Sequence, residues 1–306
     1  MPGIKFHILV IGDSVPWGQG LKEGVKHHAL VKEWILKFHP NFTVTHEMLA
    51  HSGAVIGVNA PTGQPFLDGE VPAAFPSILD QADRFQSDPA QTDLVIVNGG
   101  INDVDIRRIF NPFTKPGQIS SLTRQHCFVD LKVLLHELHA RFPNPKTRFL
   151  VCSYHLVLSR ESDALRIPTF CAVFGIDLAN SLLSLNPAAR VIANAIQFWT
   201  ESNPLIADAV DQVNAETSSK RFHLVKPPFT AGNAAFTKDP WVYGIKLNLQ
   251  PQDEVIAERR QVCIRDEPDF LDRELCFRAS AGHPNPKGAG AFFRATFPIL
   301  KREFGL

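Results

Sequence analysis

Five short strand-like segments, at residues 5–12, 42–49, 93–98, 147–154 and 221–225, are each parted from the next by a longer stretch. That alternation limits the fold more than any other feature of the chain. The first of these segments, "KFHILVIG", is rich in β-branched and apolar residues and reads as a buried strand. Helical patterns fall between them at 21–39, 74–87, 121–142 and within 168–218, and a last one covers about 286–303. Strand and helix in alternation predict βαβ units, hence a parallel five-stranded sheet sandwiched between two helical layers. At 306 residues the chain is expected to form one such domain, residues 1–306.

The first strand runs into "GDSVPWGQGLKEG", a strand-to-helix turn of the kind where open α/β sheets place their chemistry. A nucleotide loop does not fit there. Gly18, Gly20 and Gly24 give G-x-G-x-x-x-G, one residue longer than a dinucleotide fingerprint and starting six residues after Gly12, and no phosphate-loop motif occurs. The G-x-S-x-G elbow of α/β-hydrolases is also missing, since Pro16 stands where its second glycine belongs. Two readings of Ser14 stay open from this turn alone, a nucleophile or a helix N-cap.

Charge and cysteine usage exclude several classes. Lys plus Arg equal Asp plus Glu at 31 each, so there is no field to draw in nucleic acid or an anionic membrane. No apolar run approaches a membrane span, and the N-terminal run lacks a cleavage site and reads as a strand; the chain as given reads as cytoplasmic, with a secreted mature form as the alternative. The five cysteines show no C-x-x-C spacing, and "HELH" at 136–139 is not H-E-x-x-H, so neither a metal nor a cofactor is expected. Cys263 and Cys276 flank a charged loop and could staple it in an oxidising compartment. Pro- and Gly-rich loops are expected at 57–76 and 111–117, and an irregular insertion at about 226–282 as a substrate wall or lid.

Three further stretches bear on Ser14. "LAHSGAVIG" places Gly53 past the second strand, "VIVNGGINDV" places Gly100 and Asn102 past the third, and "ASAGHPNPKGAG" places His283 just before the last helix. In an open α/β sheet such strand-end loops converge. A serine hydroxyl needs a base, for which a histidine suits, and the oxyanion formed on attack needs donors: the backbone N–H of Ser14 and Gly53 and the amide of Asn102.

"GDS", the lone glycine of "HSGAVIG", "GIND" and "GHPN", in this order over residues 12–285, resemble the four blocks of the SGNH (GDSL) hydrolase superfamily. The resemblance implies a flavodoxin-like α/β/α sandwich and cofactor-free serine hydrolysis of esters or thioesters. By position, Ser14 resembles the nucleophile and first oxyanion donor, Gly53 and Asn102 the other donors, and His283 the base. One departure stands out, for Ser280 occupies the place of the family's aspartate three residues before the histidine. The orienting group is then expected among Asp239, Asp266, Asp269 and Asp272, or in a main-chain carbonyl.

The substrate expected is a small-molecule or lipid ester. Loop phenylalanines (Phe110, Phe113, Phe229, Phe236) favour an apolar acyl pocket, against a core role for the same residues. Trp17 and Trp241 as exposed platforms would instead favour removal of acetyl groups from a carbohydrate. A third reading is a catalytically weakened protein that binds an acylated ligand.

Overall fold

The computed structural model describes residues 4–58, 76–178 and 186–305. Most of the expected 57–76 loop, and the start of the helical pattern at 74–87, lie outside the described residues. The five strands are β1 (Ile4–Val10), β2 (Phe42–Met48), β3 (Leu94–Val97), β4 (Arg148–Cys152) and β5 (Phe222–Val225). All pair in parallel, in the order β2-β1-β3-β4-β5. This is the flavodoxin-like order expected from the sequence.

The sequence pattern follows from burial. All four residues of β3 are buried, as is Ile8–Val10 of β1, so nothing polar interrupts those runs. The edge strands β2 and β5 are more exposed and read as mixed. Helices His27–Phe38 and Pro286–Phe304 pack against each other, and Leu131–Arg141 packs against the 30-residue helix Pro187–Glu216. The order reverses between β1 and β3, so the loops leaving these two strands diverge and open a crevice at their C-terminal ends.

Two helices depart from expectation. The insertion at 226–282 is not irregular throughout, because Ile256–Asp266 and Phe270–Phe277 form a helical hairpin closed by a Cys263–Cys276 disulfide. Its first helix hides from periodicity because the buried face consists of Arg259, Val262 and Cys263, with a guanidinium where an aliphatic residue would mark the pattern. No described helix is long and apolar enough to cross a membrane.

Candidate active site

Asp13, the residue after Gly12 on leaving β1, builds the turn that carries Ser14. Its Oδ1 accepts the N–H of Val15 at 2.8 Å and the amide of Asn98 at 2.8 Å, while Oδ2 accepts the Tyr154 hydroxyl at 2.9 Å. Tyr154 in turn accepts the N–H of Ile101 at 2.9 Å, which ties the first strand-end loop to the third. Burial pushes the Asp13 pKa up, against the hydrogen bonds from Val15, Asn98 and Tyr154. Gly12 adopts φ +130°, and a Cβ there would lie 2.4 Å from Asn98 Oδ1, so only glycine fits. Asp13, not Ser14, therefore caps the short helix Ser14–Trp17, and the Ser14 hydroxyl is not spent on capping.

That hydroxyl meets His283. Ser14 Oγ lies 2.7 Å from His283 Nε2, and the serine is buried. Burial lowers the His283 pKa to about 3, helped by His155 and Arg259 and opposed by the facing carbonyls of Ser280 and Ala281. The imidazole is neutral at pH 7 and able to accept the serine proton. Nδ1 makes no hydrogen bond to a described residue.

The four aspartates expected to orient the histidine therefore do not bond to it. Asp239 pairs with Lys287 at 2.5 Å and accepts from Trp241 Nε1, Asp266 pairs with Arg265, and Asp269 caps the Phe270–Phe277 helix. Asp272 lines the pocket wall without bonding to Nδ1. Asp239, Asp266 and Asp269 are each drawn to a nearer cation or backbone N–H. The main-chain carbonyls of Ser280 and Ala281 lie close enough to favour the charged ring, without closing a hydrogen bond to Nδ1.

The histidine loop is held from outside the sheet. Ser280 Oγ donates to Asp253, whose carboxylate pairs with Arg259 at 2.5 Å, and both side chains of that pair are fully buried. Arg259 Nε also donates to the carbonyl of Phe277 at 3.2 Å. Tyr243 brackets the loop, its N–H donating to the His283 carbonyl at 2.8 Å and its carbonyl accepting the Gly282 N–H at 2.9 Å. His155 Nε2 lies 2.8 Å from the Gly282 carbonyl and, that oxygen being only an acceptor, donates to it. Sequence reading missed Asp253, Arg259 and His155. Only His155 carried a signal, since it follows the C-terminal end of β4.

Ser14, Gly53, Asn102 and His283 all line one pocket of about 460 Å³. Gly53 stands at φ +81°. Asn102 donates one amide hydrogen to the Ala54 carbonyl at 2.9 Å, which fixes the amide and leaves its second hydrogen for a ligand. Asp103 accepts the Ile56 N–H at 3.1 Å on both oxygens, a second tie between the two loops, and burial raises its pKa to about 6. A serine hydroxyl bonded to a neutral imidazole, on one pocket wall with Gly53 and the half-free amide of Asn102, can serve acyl transfer.

The rest of the lining is largely apolar, with Ile106, Phe110, Val157, Val173, Phe174 and Leu275 among it, and Glu267 and Asp272 on the side of the helical hairpin. Of the loop phenylalanines only Phe110 reaches the pocket; Phe113 is exposed, and Phe229 and Phe236 pack on Trp241 and Phe170. Trp17 is buried against His51 under Lys26, and neither it nor Trp241 lines the pocket. Among the described residues two groups bring metal-ligating side chains together, Glu23 with His28 and His46, and Asp103 with His126 and Asp130. In the first Lys26 already sits 3.3 Å from Glu23, and in the second the His126–Asp130 pair closes at 2.7 Å.

No family model and no curated protein matches the sequence. Solved structures do resemble it. Phospholipase A1 from Streptomyces albidoflavus NA297 superposes with a TM-score of 0.52 at 12% identity, over 99% of this chain and 100% of that one. The lipase Lip_vut3 from a goat rumen metagenome gives 0.49 at 11% identity, over 96% of each chain. A carbohydrate esterase family 2 enzyme of Corynascus thermopiles (Myceliophthora fergusii) gives 0.47 at 15%, over 100% of this chain and 68% of that one. Only the first of these likenesses is close enough to speak, and it speaks to the fold.

Proposed function

We propose that this chain, which has the α/β fold of SGNH hydrolases, is a serine esterase that cleaves carboxylic esters through an acyl-enzyme on Ser14. The observation that carries the reading is the 2.7 Å contact between Ser14 Oγ and His283 Nε2, at the wall of a pocket shared with Gly53 and Asn102. His283 takes the serine proton as the hydroxyl attacks the acyl carbon. The N–H groups of Ser14 and Gly53 and the free amide hydrogen of Asn102 meet the oxyanion, and the imidazolium then protonates the leaving alcohol. Water, deprotonated by the same histidine, releases the acid. The carbonyls of Ser280 and Ala281 stand in for the family's carboxylate, and the whole chain works as one domain whose 226–282 segment walls the pocket.

The apolar lining favours a short acyl or lipid ester over an acetylated sugar, for which neither Trp17 nor Trp241 is placed to stack. A series of p-nitrophenyl esters of rising acyl length tests this. Each methylene buried adds about 0.8 kcal/mol, or roughly fourfold in kcat/KM. The rate should therefore climb from acetate through butyrate. Faster turnover of acetylated xylan than of butyrate would favour the sugar reading, and binding without turnover of any ester would favour the weakened protein.

A further inference from the structure

The second helix of the disulfide-closed hairpin, Phe270–Phe277, carries its apolar residues outward. Phe270 is 68% and Leu271 70% exposed. Leu275, one turn beyond Leu271 and so on the same face, is 38% exposed and also lines the pocket that holds Ser14. An apolar stripe made by Leu271 and Leu275, with Phe270 beside it, thus leads from solvent to the substrate pocket. Single exposed leucines are ordinary on a protein surface, but a Phe and two Leu on one helix at a pocket mouth are a patch that asks for a partner.

Two observations restrict that partner. The helix cannot fold its stripe inward, because Cys276 faces the interior in a disulfide to Cys263 and Asp269 caps the first turn. The stripe is also not a basic one. Residues 260–278 hold four arginines against five carboxylates, with Arg265 paired to Asp266 and Arg278 to Glu274, so no surplus positive charge seeks anionic headgroups. An uncharged surface fits both. Since the stripe leads into the pocket, a surface made of the ester itself would deliver substrate along it.

We infer that Phe270, Leu271 and Leu275 form a docking stripe for the surface of an uncharged lipid-ester aggregate, such as a triacylglycerol droplet, and that esters leave that surface for the pocket along it. The identity of the occupant rests on the esterase reading. Docking itself does not need catalysis.

The test uses the full chain carrying Ser14→Ala, floated with gum-stabilised triolein droplets, so that binding is read apart from turnover. Phe270→Asp with Leu271→Asp should lower the droplet-bound fraction at least about tenfold, since two apolar side chains lose their burial and a charge must be desolvated. The two aspartates stand in the first turn of a helix, where negative charge is tolerated. In the chain with Ser14 intact, the double variant should hydrolyse dissolved p-nitrophenyl butyrate within about twofold of wild type, which also shows that it folds. Its rate on emulsified tributyrin should fall about tenfold. Equal flotation of both proteins, or none by the parent, overturns the inference. So does a dimer of the parent chain that the double variant dissolves, because the stripe would then belong to a second copy. Flotation without hydrolysis of any dissolved ester leaves the stripe standing and removes the esterase reading.

Discussion

The two halves of the candidate site are built in different ways. Ser14 sits on the central sheet, its turn locked by Asp13, Asn98 and Tyr154 and by Gly12, whose carbonyl accepts both His51 N–H and the Gln81 amide. His283 sits on a loop away from the sheet, held by Ser280 on the buried Asp253–Arg259 pair and by hydrogen bonds to Tyr243 and His155. The first half is fixed by strand packing with local hydrogen bonds. The second depends on a buried ion pair between Asp253 and Arg259, the latter on the first helix of the hairpin, so damage 24 to 30 residues before His283 should reach it.

The largest effect should come from the residue both halves serve. Ser14→Ala should lower ester hydrolysis by on the order of a million-fold with the melting temperature little changed, and His283→Ala by at least about a thousandfold. A variant at Ser14 that keeps more than about a tenth of wild-type turnover would show that this hydroxyl is not the nucleophile.

Asn102→Ala, on the sheet side, should lower kcat about 10² to 10³ with KM nearly unchanged, as for loss of one oxyanion donor. A rise in KM alone would mean that the amide serves binding and not the transition state.

On the histidine side the contrast sharpens. Asp253→Asn leaves a buried guanidinium without its counter-charge and should cost about 3–5 kcal/mol of stability, read as a fall in melting temperature. Ser280→Ala removes one hydroxyl and keeps the ion pair, so turnover should fall less than about tenfold. Ser280→Ala as damaging to turnover as His283→Ala, in folded protein, would make the hydroxyl a member of the catalytic set.

Acid should weaken the fold through its buried histidines. His27 and His283 have pKa values lowered to about 3 and His155 to about 4, all by burial, against 6.5 in the unfolded chain. Below pH 6.5 the unfolded chain takes up protons these folded sites refuse, so stability falls as pH falls. Asp103, raised to about 6 from 3.8, works the other way below that value, and Asp13, also raised by burial, opposes the histidines too, so the three histidines set the sign by number. The melting temperature should drop from about pH 7 to about pH 5; a rise would reverse the assignment of neutral buried histidines.

The same contrast governs what was readable before the structure. Buried parallel strands must be apolar throughout, so β1 and β3 announce themselves, and their C-terminal ends locate Ser14 and Asn102. Gly53 and His283 were legible as short motifs, and all four residues line one pocket. Asp253 and Arg259 were not, because a carboxylate and a guanidinium that pair inside the protein look in sequence like surface charge. For the same reason Asp239, Asp266 and Asp269 look in sequence like partners for the histidine, although each is bound to a nearer group.

Ester cleavage at this site requires one reactive hydroxyl, that of Ser14. A fluorophosphonate probe followed by peptide mapping measures that directly. Wild-type protein should carry a single phosphonyl adduct, on Ser14, formed far more slowly in His283→Ala and absent in Ser14→Ala. Absence of any adduct under conditions that label a control serine esterase, or an adduct on another serine that survives Ser14→Ala, would contradict it.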